Sequence, residues 1–197
     1  RETHTMSVVC GFNITTILSE DGTLYACGYV QRAQLGVYAP CQRPVPLLLG
    51  FPQCFPSKQF VMISAGSKHY ACLAEDATVL TWGKGHYGVL GHGNGEERCM
   101  PRRLNNMAFS GSAAVMVACG WHHTMVVTVG GRLWTFGRGH EGQTGHGNTA
   151  DVLVPRVVDA FDQVKIAMVA GGRYHSIAVT TDGDVLTWGL GEYGQLG

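Results

Sequence analysis

The 197-residue chain is predicted to be an all-β protein: a β-propeller of four-stranded antiparallel blades, forming an incomplete ring of about 3.7 blades. Three observations carry that expectation. Glycine anchors recur at a nearly constant spacing, turn signals follow each anchor in constant phase, and the segments between them alternate as strands do.

Laying the chain on itself at Gly11, Gly66, Gly120 and Gly172 sets the repeat starts 55, 54 and 52 residues apart. Ten residues after each anchor comes Asp21-Gly22, Asp76-Ala77, Gly130-Gly131 or Asp182-Gly183. Three of these four pairs are strong two-residue hairpin signals. Seventeen residues after the anchors stand Gly28, Gly83, Gly137 and Gly189, preceded by Cys27, Trp82, Phe136 and Trp188. Gly36, Gly91, Gly145 and Gly197 follow at twenty-five residues, so the last unit is truncated inside its glycine loop.

Between the markers, His123-Thr124-Met125-Val126-Val127-Thr128 and Arg132-Leu133-Trp134-Thr135-Phe136 read as the two arms of a hairpin. Pro44, Pro101 and Pro155 open a short third segment in each of the first three units, a position where a strand tolerates proline. Val115-Met116-Val117-Ala118 and Ile166-Ala167-Met168-Val169 form the strand leading into the next anchor. Four strands in about 53 residues match a propeller blade. The reading is a single propeller fragment over 1–197, with repeat cores 8–62, 63–116, 117–168 and 169–197. No window has the period and caps of a long amphipathic helix.

Composition limits the function classes. Charged residues make up 14% and balance to a net charge of zero, so no global footprint exists for nucleic acid or an anionic membrane. No apolar run reaches the 18 or so residues of a membrane span. The seven cysteines include no C-x-x-C pair and several lie in apolar runs, which reads as buried reduced thiols in an intracellular protein, cytoplasmic or nuclear. The chain starts at Arg1 and stops at Gly197 in a glycine-rich turn, as a cut through a longer polypeptide would.

Two motifs in fixed phase resemble the repeat of the regulator of chromosome condensation family. Val169-Ala170-Gly171-Gly172-Arg173-Tyr174-His175-Ser176 and Val117-Ala118-Cys119-Gly120-Trp121-His122-His123-Thr124 are similar to its small-residue strand, glycine, histidine and hydroxyl residue. Trp188-Gly189-Leu190-Gly191-Glu192-Tyr193-Gly194-Gln195-Leu196-Gly197 is similar to its glycine loop. The second unit has Tyr70 after His69 and Val89 in place of glutamine; the first has Ile14 for histidine and Cys27 for the aromatic. The resemblance implies a seven-bladed ring, which needs roughly 370 residues at this blade size, so the remaining blades are expected from the same parent chain.

Gly83-Gly85-Gly88, Gly137-Gly139-Gly142 and Gly189-Gly191-Gly194 each spell G-x-G-x-x-G after a strand. They lead into more turn residues rather than a helix, so they are read as tight loops and not as dinucleotide sites. His86 with His92, and His140 with His146, recur with the blade and are read as structural, with no metal site assigned. His69, His123 and His175 lie in the strand motif, where an imidazole could bond backbone carbonyls of a neighbouring strand. No grouping of nucleophile, base and acid recurs, so no catalytic residue, cofactor or enzymatic activity is assigned.

The resemblance points to the glycine loops as a partner surface, because in the founding family member the equivalent loops help dock the small GTPase Ran. The candidate contact residues are Gln31, Arg32, His86, Tyr87, His140, Glu141, Glu192 and Tyr193, which should project on one face of the ring. The leading expectation is a protein-binding scaffold module within a larger protein; guanine nucleotide exchange on a Ran-like GTPase is the alternative. A third class, light sensing through clustered tryptophans, occurs in one branch of the family. Trp121 matches that motif, but Phe12, Ser67 and Arg173 hold the corresponding positions.

Overall fold

The computed structural model describes residues 4–30, 41–49 and 59–197. Four antiparallel sheets follow one another along the chain. The first holds β1 (Thr5–Cys10), β2 (Ile14–Ser19), β3 (Leu24–Val30) and β4 (Cys41–Leu48), and the second β5 (Phe60–Ala65), β6 (His69–Ala74), β7 (Val79–Gly83) and β8 (Arg98–Arg103). The third holds β9 (Ala114–Cys119), β10 (His123–Thr128), β11 (Leu133–Gly137) and β12 (Val152–Val157); the fourth has β13 (Ile166–Gly171), β14 (His175–Thr180) and β15 (Val185–Gly189). Strand order within each sheet is the order in the chain, as in a propeller blade. The innermost strands β1, β5, β9 and β13 pack side by side, and the ring is not closed.

The strand that leads into each anchor belongs to the sheet of the hairpin that follows it: β9 pairs with β10, and β13 with β14. A cyclic repeat has no intrinsic start, so the sequence units fall out of phase with the sheets and cut through these inner strands.

Apolar layers fill the spaces between sheets. Leu18, Leu24, Ile63, Tyr70 and Trp82 join the first sheet to the second; Val79, Val117, Val126 and Phe136 join the second to the third; Met125, Leu133, Ile166 and Val169 join the third to the fourth. The two middle sheets are therefore covered on both sides. Every residue of β6, β7, β10 and β11 is buried, whereas β14 alternates between buried and half-buried. Thr81, Thr124 and Thr135 are thus core residues whose hydroxyls must find partners inside.

All four hairpin turns close where expected. The amide of residue 22, 77, 131 or 183 donates to the carbonyl three residues back. At the second turn Ala77 takes a φ of +62°, the left-handed region where the other units have glycine. The prolines differ from expectation: Pro101 and Pro155 lie inside β8 and β12, not at their starts. Both are on the outermost strand, in the stretch where the pairing register shifts, so no ladder bond needs the missing N–H. The G-x-G-x-x-G loops open no α-helix. The second blade has a three-residue 3-10 turn, His86–Gly88, interrupted by Tyr87 at a φ of +62°.

Candidate functional site

The anchor glycines are explained by a histidine. A Cβ on Gly66, Gly120 or Gly172 would lie 2.2, 2.0 or 2.1 Å from the ring of His69, His123 or His175, three residues on. In the first two cases the ring then crosses to the next blade. His69 Nε2 lies 3.0 Å from Thr124 Oγ1 and His123 Nε2 lies 2.8 Å from Ser176 Oγ. The Thr124 hydroxyl donates to the Val89 carbonyl, and that of Ser176 to the Gln143 carbonyl, both at 2.8 Å. Each hydroxyl has one proton and spends it on the carbonyl, so each histidine donates from Nε2–H. At Nε2 the sequence expectation of a backbone carbonyl is corrected, because a hydroxyl stands between ring and carbonyl, while the His123 backbone also interacts with the His69 ring. Burial, with neighbouring histidines adding to it, holds both rings neutral down to about 3.

This clasp fixes the second and third glycine loops, because Val89 and Gln143 are loop residues. Their backbone accepts the bond, so valine serves at 89 as well as glutamine does at 143. The glutamine side chain acts separately, as a cap within its own loop. Gln143 Oε1 accepts from the Glu141 amide at 3.0 Å, and Gln195 Oε1 from the Tyr193 amide at 2.9 Å. Val89 cannot cap its loop in this way, and that loop is the one containing the left-handed Tyr87.

A second imidazole–hydroxyl pair recurs on the return of the second and third loops. His92 Nε2 meets Thr81 Oγ1 at 3.1 Å and His146 Nε2 meets Thr135 Oγ1 at 2.9 Å, while the threonines donate to the Leu90 and Thr144 carbonyls.

The anchor turns (11–13, 66–68, 120–122 and 172–174) and the glycine loops emerge at the same end of the sheets, with the hairpin turns at the opposite end. Backbone bonds link successive anchor turns: Phe12 N–H to Ser67 O, Ser67 N–H to Trp121 O, and Trp121 N–H to Gly172 O, at 3.2, 3.1 and 3.0 Å. Among the predicted contact residues, His86, Tyr87, His140, Glu192 and Tyr193 are exposed and Glu141 is half-buried. Tyr193 is 85% exposed. Tyr87 and His140 bring two adjacent loops together at 5.8 Å between ring centroids. Gln31 and Arg32 lie outside the described residues.

Between the loop tips and the ring axis lies a set of side chains that the loop motif does not include. The Arg138 guanidinium sits over Tyr87 at 5.6 Å and Tyr174 at 5.3 Å and donates to Glu141 Oε1 at 2.8 Å. Arg173 covers Tyr174 at 4.9 Å and Trp121 at 5.3 Å, and Phe12 meets the same indole edge-on at 5.7 Å. The positions that correspond to Trp121 thus converge around it as a phenylalanine and an arginine. The Ser67 hydroxyl donates to Trp121 O at 2.7 Å, so His122 Nδ1, 3.2 Å away, must be the donor to Ser67 and its Nε2 carries a lone pair. Burial, then Arg138, His86, Lys68 and Arg173, lowers the His122 pKa to about 4. The signal for this patch was the chemistry of the one or two residues after each anchor, positions that vary from unit to unit and so drop out of a repeat alignment.

Comparison with known proteins agrees with this architecture. A family model described as RCC1-like domain matches residues 1–197. The chain is 35% identical over 190 residues to the ultraviolet-B receptor UVR8 of Arabidopsis thaliana, covering 96% of this chain and 42% of that protein. It is 32% identical over 203 residues to the secretion-regulating guanine nucleotide exchange factor of Bos taurus, covering 96% and 42%. The crystal structure of Prp20p from Saccharomyces cerevisiae, described with its binding properties to Gsp1p and histones, superposes with a TM-score of 0.82 at 22% identity, covering 99% of this chain and 45% of that one. The chain spans less than half the length of each of these proteins. Sheet order, clasp geometry and the full-length family match lead to one assignment: this chain belongs to the family of RCC1-like domains.

Proposed function

We propose that the chain is a protein-binding propeller module, part of a larger intracellular protein, whose partner docks on the face built from the glycine loops and anchor turns. The observation that carries this is the concentration of exposed Tyr193, Tyr87, Phe12 and Arg173 on that one end, where buried clasps pin the second and third glycine loops, the second of which holds Tyr87. Aromatic and arginine side chains on a rigid frame lose little entropy on binding and dominate interface energetics. Gln31, Arg32, His86, Tyr87, His140, Glu141, Glu192 and Tyr193 are proposed as contacts, joined by Trp121, Arg173 and Tyr174. Nothing in this reading requires a cofactor or a reaction at the propeller. Among the described residues, no helix is long and apolar enough to cross a membrane.

The test is affinity capture with the intact chain and with a Tyr87→Ala, Tyr193→Ala pair. A partner retained by the first and lost by the second supports the reading; a partner held equally by both removes the loop face from it. Guanine nucleotide exchange is kept as the second reading because a relative at 32% identity is named as an exchange factor. Acceleration of labelled GDP release from a small GTPase would favour exchange, and no acceleration over a panel of GTPases would leave the scaffold reading alone.

A further inference from the structure

The net charge of zero conceals local groupings: carboxylates crowd the hairpin turns, beside Arg132 and Lys165, and cations gather at the centre of the loop face, with Glu96, Asp151 and Glu192 elsewhere on that end. The hairpin turns opposite the loop face carry the exposed Glu20, Asp21, Glu75, Asp76, Asp182 and Asp184. The centre of the loop face carries Lys68, Arg138 and Arg173. The nearby carboxylate Glu141 is bound to Arg138. Arg173 and Lys68 form no ion pair with any described residue. Arg173 is exposed, yet its guanidinium is held over Trp121 and Tyr174, which presents its N–H fork outward in a fixed orientation. Phe12, 44% exposed, and the edge of Trp121 supply an apolar surface beside it.

We propose that this patch binds an acidic protein segment, with carboxylates paired to Arg173 and Lys68 and an apolar or aromatic side chain resting on Phe12 and Trp121. The inference rests on the reading of the loop face as the partner surface and adds the partner's chemistry. Charge complementarity is the argument: a planar fork with unused donors matches a carboxylate bidentately, and a like-charged far end disfavours the same partner docking the wrong way round. The patch is a cluster of three cations among aromatic rings. A phosphate backbone would call for a longer basic stripe.

The test uses the full chain and a dye-labelled peptide of glutamates flanking one phenylalanine, followed by fluorescence anisotropy. Binding is expected to weaken as salt rises. Arg173→Ala should weaken it about tenfold, the scale of one charge-assisted hydrogen-bonded pair, and Arg173→Glu should abolish it. Arg132→Ala, at the opposite end, should leave it unchanged. The proposal is overturned if the peptide does not bind, if its all-glutamine counterpart binds equally well, or if duplex DNA binds more tightly. Photo-cross-linking from position 193 separates this failure from that of the underlying reading. Cross-links to protein there, without acidic-peptide binding, keep the face and discard the acidic partner; cross-links absent there discard both.

Discussion

The His123 imidazole and the Ser176 hydroxyl meet 2.8 Å apart across the joint between the third and fourth blades, and Gly120 owes its missing side chain to that ring. Three parts of the repeat, glycine, histidine and hydroxyl, therefore form one device shared between neighbouring blades. Removing any one part should affect the others.

Gly120→Ala places a methyl group on the His123 ring and should cost about 3 kcal/mol. His123→Ala leaves a cavity and an unpaired buried hydroxyl and should cost about 2 to 4 kcal/mol. In the double variant the new methyl occupies space the ring has left, so the combined loss should be smaller than the sum by at least about 1 kcal/mol. Urea unfolding of the four proteins measures this, and strictly additive losses would refute the shared device.

Acid should loosen the joints. His69 and His123 stay neutral in the fold down to about 3, while in the unfolded chain they protonate near 6.5. Between those values the unfolded chain binds more protons. The stability these residues contribute is therefore complete above 6.5 and is lost as the pH falls toward 3. At about pH 5 each histidine should account for a loss of about 2 kcal/mol, and His123→Gln should flatten the profile by about that amount. Unfolding midpoints that do not change between about pH 7 and pH 5 would contradict this.

Ala77 holds a left-handed backbone at a φ of +62° in a turn where the three other units have glycine at the same place. Ala77→Gly should raise stability by about 0.5 to 1 kcal/mol, because relief of the Cβ strain exceeds the added entropy of the unfolded chain. Thermal unfolding provides the check; a lowered midpoint would show that the strain is absent.

The cysteines should divide by position. Cys10 is exposed, whereas Cys72 and Cys119 are buried. Burial pushes the Cys119 thiol up to about 12 and raises that of Cys72 as well. Alkylation of the native chain followed by mass spectrometry should therefore modify Cys10 and spare Cys72 and Cys119 until the protein unfolds. Modification of Cys72 in the native state would place it wrongly in the core.

Local chemistry made the blades legible: turn dipeptides at constant phase, alternating strands and a recurrent glycine all act within a few residues. Contacts between blades were not legible in the same way. His69 and Thr124 stand 55 residues apart and His123 and Ser176 stand 53 apart, so their pairing appears only once the sheets lie side by side. Strand alternation likewise marked the strands without showing how deeply each is covered, and β10 is buried along its whole length. The binding patch was hidden for a third reason. Phe12, Trp121 and Arg173 are unlike one another, so each looks like noise in its own repeat, and only convergence at the axis makes them a surface. A zero sum of charges gave no hint of the cationic centre, since carboxylates elsewhere, on the hairpin turns and on the glycine loops, compensate it.

The central functional claim is that partners engage the loop end of the blades. Site-specific photo-cross-linking in cells tests it most directly, with the reactive residue placed at Tyr87 and Tyr193 on the loop face and at Glu75 and Asp182 on the hairpin-turn face. Protein adducts confined to the first two positions are predicted. Adducts confined to the second two, or equal at all four, would contradict the account.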